Sequence, residues 1–285
     1  MKRVSLVVIS YEMTRELPRT LLSLSPGYQG LAADEYEIVV VDNASRVPPR
    51  TEDFASLGAD ITVLGCASPS HSPVGAINEG LARAQGALIG VWIDGARMAS
   101  PGLVRACLAA SALHPRAVIA TMNYQLGPDL QRISSAQGYD RGVEDALLQS
   151  IAWPKDGYRL FDIAVPEMRG GPRGAMLETN ALFLPRALWD ELGGYDARFA
   201  EPGGSVVNPD TLIRALALEN TQLIRVLGEG TFHQIHGGLS TSTQARAMDV
   251  LKEGSKAYLR LRGRPLTHVR AVGWTYDSRS GEVTR

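Results

Sequence analysis

Short runs of β-branched residues alternate along this chain with stretches whose apolar positions recur at helical spacing. Residues 4–9 (VSLVVI) form an almost unbroken apolar run, the pattern of a strand covered on both faces. Leu17, Leu21, Leu22 and Leu24 mark a helix over 14–24, with Pro18 tolerated only in its first turn. Residues 36–41 predict a second buried strand, 61–64 a weaker third, 74–84 a helix stopped by Gly86, and 87–93 a fourth strand. Strand, helix and strand at this spacing predict an α/β fold with a parallel sheet and right-handed crossovers. Ligands of such sheets bind beyond the carboxyl ends of the strands, where Ser10-Tyr11, Asp42-Asn43 and Asp94 fall.

The second half has a different texture. A helix is expected over 101–112, with Ser100 as its cap and Pro101 at its first position. A strand follows over 117–122. Residues 123–174 are rich in Gly, Pro and polar side chains, with one helix at 142–151, a length and irregularity that mark a functional loop region. Further on come a strand at 181–184, a helix at 186–192 closed by Gly193-Gly194, a helix at 210–218 and a strand at 223–227. That strand runs into a glycine-flanked loop holding His233 and His236, and a last helix spans 244–262.

Composition narrows the class. The 285 residues are 45% hydrophobic and 21% charged, enough for a sizeable core in one large domain or two small ones. Lys and Arg (29) nearly balance Asp and Glu (30), so no field points to nucleic acid as a partner. No apolar run approaches the roughly 20 residues of a membrane span. The run after Lys2-Arg3 ends at Tyr11-Glu12 without a small-residue cleavage site, which reads as a strand rather than a signal peptide. Cys66 and Cys107 offer neither a disulfide framework nor a metal spacing. The expectation is a soluble cytoplasmic globule. Residues 245–285 hold nine Lys/Arg against four Asp/Glu. They read as a solvated helix face with a loose end, or as a patch for an anionic acceptor or a lipid surface, a peripheral membrane contact.

Several residues could carry chemistry, and each has a plainer reading. Asp42 ends a buried strand, where a carboxylate either caps the following Asn-Ala-Ser turn or accepts the N–H of a bound base. Asp94 ends another apolar strand and could ligate a divalent cation or cap a turn. His233 and His236 lack two further ligands for structural zinc. One of them could complete a metal or phosphate site, or both could bond loop carbonyls.

The order of these segments resembles the inverting family-two glycosyltransferases with the GT-A fold. Val-Val-Ile-Ser10-Tyr11-Glu12 is similar to the family's first strand and nucleotide-contacting turn, and Ile-Val-Val-Val-Asp42-Asn-Ala-Ser to the strand whose aspartate binds the base, usually uracil. Asn78-Glu-Gly80 through Trp-Ile-Asp94-Gly-Ala resembles the run from the asparagine-bearing helix into the Asp-X-Asp metal site. Leu-Gly-Gly-Tyr-Asp196 is similar to the acceptor-side turn, and Phe-His233-Gln-Ile-His236-Gly-Gly to the late histidine loop. The match covers roughly residues 2–240. It implies a Rossmann-like, mostly parallel sheet flanked by helices. Residues 1–122 would be a nucleotide-sugar-binding half, 123–240 an acceptor-side half, and 241–285 a helix with a basic tail.

The resemblance implies a nucleotide-binding set of Ser10, Tyr11, Glu12, Asp42, Asn78 and Asp94, a donor that is a UDP-sugar, and an unspecified acceptor hydroxyl. The departures from the family matter. Its second metal-site aspartate falls on Ala96, followed by Arg97. The cation (Mn²⁺ or Mg²⁺) would then rest on Asp94 with His233 or His236, or Arg97 would bind phosphate in its place. The acidic pair that supplies the base falls on Val207-Asn208, leaving Asp210 as the expected general base or merely the N-cap of its helix, with Glu178 and Glu201 as further candidates. Tyr124, Tyr139, Trp153, Tyr158 and Phe161 offer rings for a sugar to stack on, or a small core of their own. A dehydrogenase is excluded, because no Gly-X-Gly-X-X-Gly follows the first strand. A sugar nucleotidyltransferase would need a glycine-rich basic loop there, also absent. A non-catalytic nucleotide-sugar-binding relative is the alternative, since Ala96 and Val207-Asn208 remove two usual carboxylates.

Overall fold

The computed structural model describes residues 2–167, 171, 173–236 and 244–285. The chain runs β1 (Val4–Ser10), α1 (Glu16–Ser23), α2 (Pro26–Gln29), β2 (Tyr36–Asp42), β3 (Ile61–Gly65), α3 (Val74–Arg83), β4 (Leu88–Trp92), β5 (Arg97–Ala99), α4 (Leu103–Ser111) and β6 (Ala117–Leu126). It continues α5 (Gln131–Ser134), α6 (Arg141–Ser150), β7 (Ala164–Pro166), β8 (Leu182–Pro185), α7 (Arg186–Leu192), α8 (Val207–Ala217), β9 (Gln222–His233), α9 (Gln244–Arg262), β10 (Trp274–Asp277) and β11 (Val283–Thr284). Short 3₁₀ turns fill some connections.

One sheet organises these elements, in the order β11-β10-β9-β6-β8-β4-β1-β2-β3. The strands β3, β2, β1 and β4 are parallel, as the βαβ spacing predicts, while β8 enters antiparallel between β4 and β6. Both faces are covered. Leu6, Val8, Val40 and Trp92 pack with Leu17, Leu21 and Val104 on one side, and Val7, Val39 and Val91 with Ile77, Leu188 and Leu212 on the other. This double burial is why β1 and β2 are continuously apolar rather than alternating. Gly80 lets α3 lie close on the sheet, since a Cβ there would meet Val7 Cγ1 at 2.4 Å.

Four expectations change. Ser100 does not cap α4. Its hydroxyl bonds Glu229 Oε2 at 2.5 Å, and the Gly102 N–H donates to that same oxygen, so a carboxylate from β9 caps the helix. Residues 123–174 are not loop throughout, because β6 extends to Leu126 and α5, α6 and β7 follow. Helix α8 starts at Val207, three residues before Asp210. The tail is no loose end: β10 joins the sheet parallel to β9, and Arg285 lies over the Trp274 ring. No described helix is long and apolar enough to cross a membrane.

Candidate functional site

A cleft of about 880 Å³ opens at the carboxyl ends of β1, β2 and β4. Its walls include Tyr11, Glu12 and Met13 after β1, Asn43 and Ala44 after β2, and Ser70 and His71 before α3. Pro202, Gly203 and Val250 close the far side, and Asp94, His233 and His236 line it as well. This is where a parallel sheet with crossover helices leaves a crevice.

Those last three residues form its charged centre. Asp94 follows β4, and Gly95 turns the chain so tightly against β1 that a Cβ would meet Ile9 O at 2.6 Å. His233 closes β9, paired in register with Arg97 of β5. His233 Nε2 lies 2.9 Å from Asp94 Oδ2 and 3.2 Å from His236 Nε2, while His236 Nε2 is 3.3 Å from Asp94 Oδ2. Behind His233, Gln131 donates its amide to His233 O at 2.8 Å. Its Oε1 therefore accepts from His233 Nδ1 at 2.7 Å. That proton on Nδ1 turns the Nε2 lone pair toward the carboxylate, as in many ligated imidazoles.

The electrostatics agree with this arrangement. Burial, together with the charge of Arg97, holds His233 below its ordinary pKa despite Asp94, so it is neutral near pH 7. Burial pulls His236 the same way, but Asp94 and then Glu16 outweigh it and raise its pKa. Burial would raise Asp94, yet His236 and His233 hold its carboxyl well below the usual range. One carboxylate and two imidazoles thus bring ligand atoms within 4.8 Å of one another. Nε2 of His233 faces Asp94 lone pair to lone pair, a contact that needs a proton on His236 or a cation between them. The donor set fits a divalent transition ion.

The histidine segment is braced from below. Glu144 of α6, wholly buried, accepts the Ile235 N–H at 2.7 Å and the Tyr139 hydroxyl at 3.2 Å, and pairs with Arg15 at 3.2 Å. Burial pushes its carboxyl up to about 7, against the pull of the Ile235 N–H and Arg15. Sequence reading missed Gln131 and Glu144. Only the placement of α5 and α6 beside the end of β9 reveals them.

The Glycosyl transferase family 2 model matches residues 5–171, more than half of the chain. The chain belongs to this family. Among solved structures it is similar to S. aureus TarS, at 14% identity and a TM-score of 0.56, over 90% of this chain and 40% of that one. The TarS 1-349 structures with UDP and with UDP-GlcNAc match at 13% and 14% identity and TM-scores of 0.54 and 0.55. These two matches cover 90% of this chain and 65% and 66% of theirs, so the chain spans less than two thirds of each solved relative. The likeness shows the GT-A fold. A search of curated proteins gives no match.

Within the family pattern the expected residues part into two groups. Tyr11, Glu12, Asp94, His233 and His236 line the cleft. Ser10 is buried at the end of β1, and Arg97 is buried beside His233, its Nη2 3.5 Å from Glu167. Asp42 is buried too, and its two oxygens accept the Ser45 N–H at 2.8 Å and the Ser45 hydroxyl at 2.6 Å, the turn-capping arrangement. Asn78 is turned away. Its amide donates to Tyr195 O and accepts from Tyr195 N, both at 2.9 Å, clamping the Gly-Gly-aromatic turn. Ala96, at the family's second aspartate, is wholly buried in the core with Trp92 and Leu103.

Asp210 lies outside the cleft lining and is fully buried, with Oδ1 on Arg262 Nε at 2.6 Å and Oδ2 on Arg214 Nε at 2.9 Å. It is not a helix cap, because α8 begins before it and no side chain caps that helix. Three of the aromatic residues of 123–174 join a small core: Tyr124 stacks on Phe232, Phe161 meets both edge-on, and Trp153 Nε1 donates to Tyr28, while Tyr139 donates to Glu144 and the exposed Tyr158 to Glu229. None of the five lines the cleft.

Proposed function

We propose that this chain transfers a sugar from a UDP-sugar to an acceptor hydroxyl in one displacement that inverts the anomeric carbon. The observation that carries the reading is the convergence of Asp94, His233 and His236 on a cleft at the strand ends of a family-two glycosyltransferase. UDP as the nucleotude part follows the TarS complexes with UDP and UDP-GlcNAc, to which this fold is similar.

Asp94, His233 and His236 would hold the cation, Mn²⁺ or Mg²⁺. When bound, it neutralises the charge that builds on the departing diphosphate. The chain's own groups prepare that site. Gln131 fixes the His233 tautomer, and burial together with the Arg97 charge keeps that imidazole unprotonated. The Asp42–Ser45 turn sets Asn43 and Ala44 against the cleft. Glu12 carries Arg46 on its carboxylate and, through its own N–H, the Ser45 hydroxyl, tying the two nucleotide-side turns together.

The deciding experiment combines UDP titration by calorimetry with Mn²⁺ or with EDTA and UDP release from a panel of UDP-sugars. Binding strengthened by Mn²⁺, with turnover of at least one sugar, is expected. No UDP binding in either condition overturns the reading. Binding without turnover of any donor or acceptor supports the non-catalytic alternative, which Asn208 at the family's base position favours.

A further inference from the structure

The proposed transfer leaves one need unmet: a base for the acceptor hydroxyl. Asn208 occupies the family's position for it and cannot take a proton. Asp210 has both oxygens on arginines. Glu201 has one oxygen on Arg260 at 3.1 Å, and its other oxygen, partnerless among the described residues, is sealed from solvent, where no acceptor hydroxyl reaches it.

We infer that the base has moved to Glu178, held in place by Asn208. The Asn208 amide donates to Glu178 Oε2 and to Thr179 O, each at 3.1 Å, and its own oxygen accepts from the Tyr195 hydroxyl at 3.3 Å. Among the described residues, Glu178 Oε1 has no hydrogen-bond partner, and the side chain is only half-buried. The backbone around it is pinned to β6. Thr179 Oγ1 donates to Thr121 O and accepts the Thr121 N–H, both at 2.9 Å, and the Asn180 N–H donates to Asn123 Oδ1 at 3.0 Å. A carboxylate so fixed, with one free oxygen, needs no reorganisation to accept a proton.

Glu178 is not itself in the cleft lining, and Asn123 ties it to the metal-binding centre: the Asn123 Oδ1 takes the Asn180 N–H, the Asn123 carbonyl takes the Glu167 N–H at 2.9 Å, and Glu167 meets Arg97 beside His233. Glu167, Asp94 and Arg97 are the charged groups that act on Glu178. Burial and then the Glu167 charge raise its pKa, and Arg97 and Asn208 restrain that rise. Arg97, the register partner of His233, has Nε and Nη1 buried without partners among the described residues, so its charge serves this cluster of carboxylates as a whole. In the step, the acceptor O–H proton passes to Glu178 Oε1 and the oxygen bonds the anomeric carbon. The bond from that carbon to the diphosphate breaks, and its electron pair leaves with UDP.

This inference rests on the transferase reading, and the test separates the two. UDP affinity and UDP release from the productive UDP-sugar are measured for the wild type, Glu178→Gln and Glu201→Gln, across pH. Glu178→Gln should keep wild-type UDP affinity and lose a hundredfold or more in release rate, roughly the worth of a general base. The wild-type rate should fall on the acid side with an apparent pKa above the ordinary carboxylate value, a limb absent from Glu178→Gln. Near-wild-type turnover in Glu178→Gln, equal loss of UDP affinity, or a loss seen only in Glu201→Gln overturns the assignment and leaves the transferase reading standing. A wild type that binds no UDP overturns both.

Discussion

Arg262 of α9 and Asp210 of α8 meet at 2.6 Å through Nε and Oδ1, and a second nitrogen of the same guanidinium reaches Asp196 at 2.6 Å. With Arg214 on its other oxygen, Asp210 joins α8, α9 and the Gly-Gly-Tyr-Asp turn around one buried charge. Asp210→Asn should therefore cost about 3 kcal/mol of stability, as removal of one partner from a buried ion pair does. Turnover per folded molecule should stay within a few-fold. Urea unfolding and rates normalised to folded protein check this. A hundredfold rate loss at unchanged stability would restore Asp210 as the base.

Cation and nucleotide should bind with positive coupling. Three protein ligands hold a divalent ion modestly, and the diphosphate would complete its shell. Reciprocity then requires Mn²⁺ and UDP to raise each other's affinity by the same factor. Asp94→Ala and His236→Ala should each abolish that factor and leave UDP affinity in EDTA near the wild-type value. Calorimetry in both conditions measures it, and unchanged coupling in either variant would remove that residue from the metal site.

Glu144 predicts a pH dependence of stability. Its folded pKa, about 7, lies above the ordinary 4.5. The unfolded chain thus releases this proton first, and the group's stabilising contribution is full below pH 4.5 and lost as pH rises through 7. Glu144→Gln keeps an acceptor for the Ile235 N–H without titrating. The stability of wild type minus variant should fall by on the order of 3 kcal/mol between pH 4.5 and 8. Denaturation series at several pH values test the sign, and a rise over that window would refute it.

The Asp42–Ser45 contact makes a different claim from direct base recognition. If Asp42 acts by shaping the turn, Ser45→Ala should reproduce at least half of the affinity for UDP that Asp42→Ala loses, about 1–3 kcal/mol for a buried charged hydrogen bond. A large loss in Asp42→Ala with none in Ser45→Ala would show that the carboxylate reaches the nucleotide itself.

The parallel half of the sheet was legible because each of its strands is buried on both faces and bounded by turn residues. Helices α7 and α9 were equally plain, fixed by Gly193 and by periodicity. The site was legible only where chemistry-bearing residues end such strands, as Asp94 does. The role of Asp210 was not, since Asp-X-X-X-Arg reads alike for a base and for an ion pair, and Arg262 is 52 residues away. Glu178 was legible only as one further candidate base and Glu144 not at all, because long-range contacts to Asn208 and Ile235 set their surroundings.

The pairing of β6 with β9 carries a last consequence. Between Ala120↔Arg225 and Met122↔Gly230, β6 advances two residues while β9 advances five. Strict alternation would put Arg225 and His233 on one side of the sheet, eight positions apart. The bulge adds an odd number of residues and so reverses parity, and His233 pairs with Gln125 on the opposite side. The histidine thus depends on a count: deleting a single residue within 227–229 would rotate it away from Asp94 while leaving every ligand in the sequence.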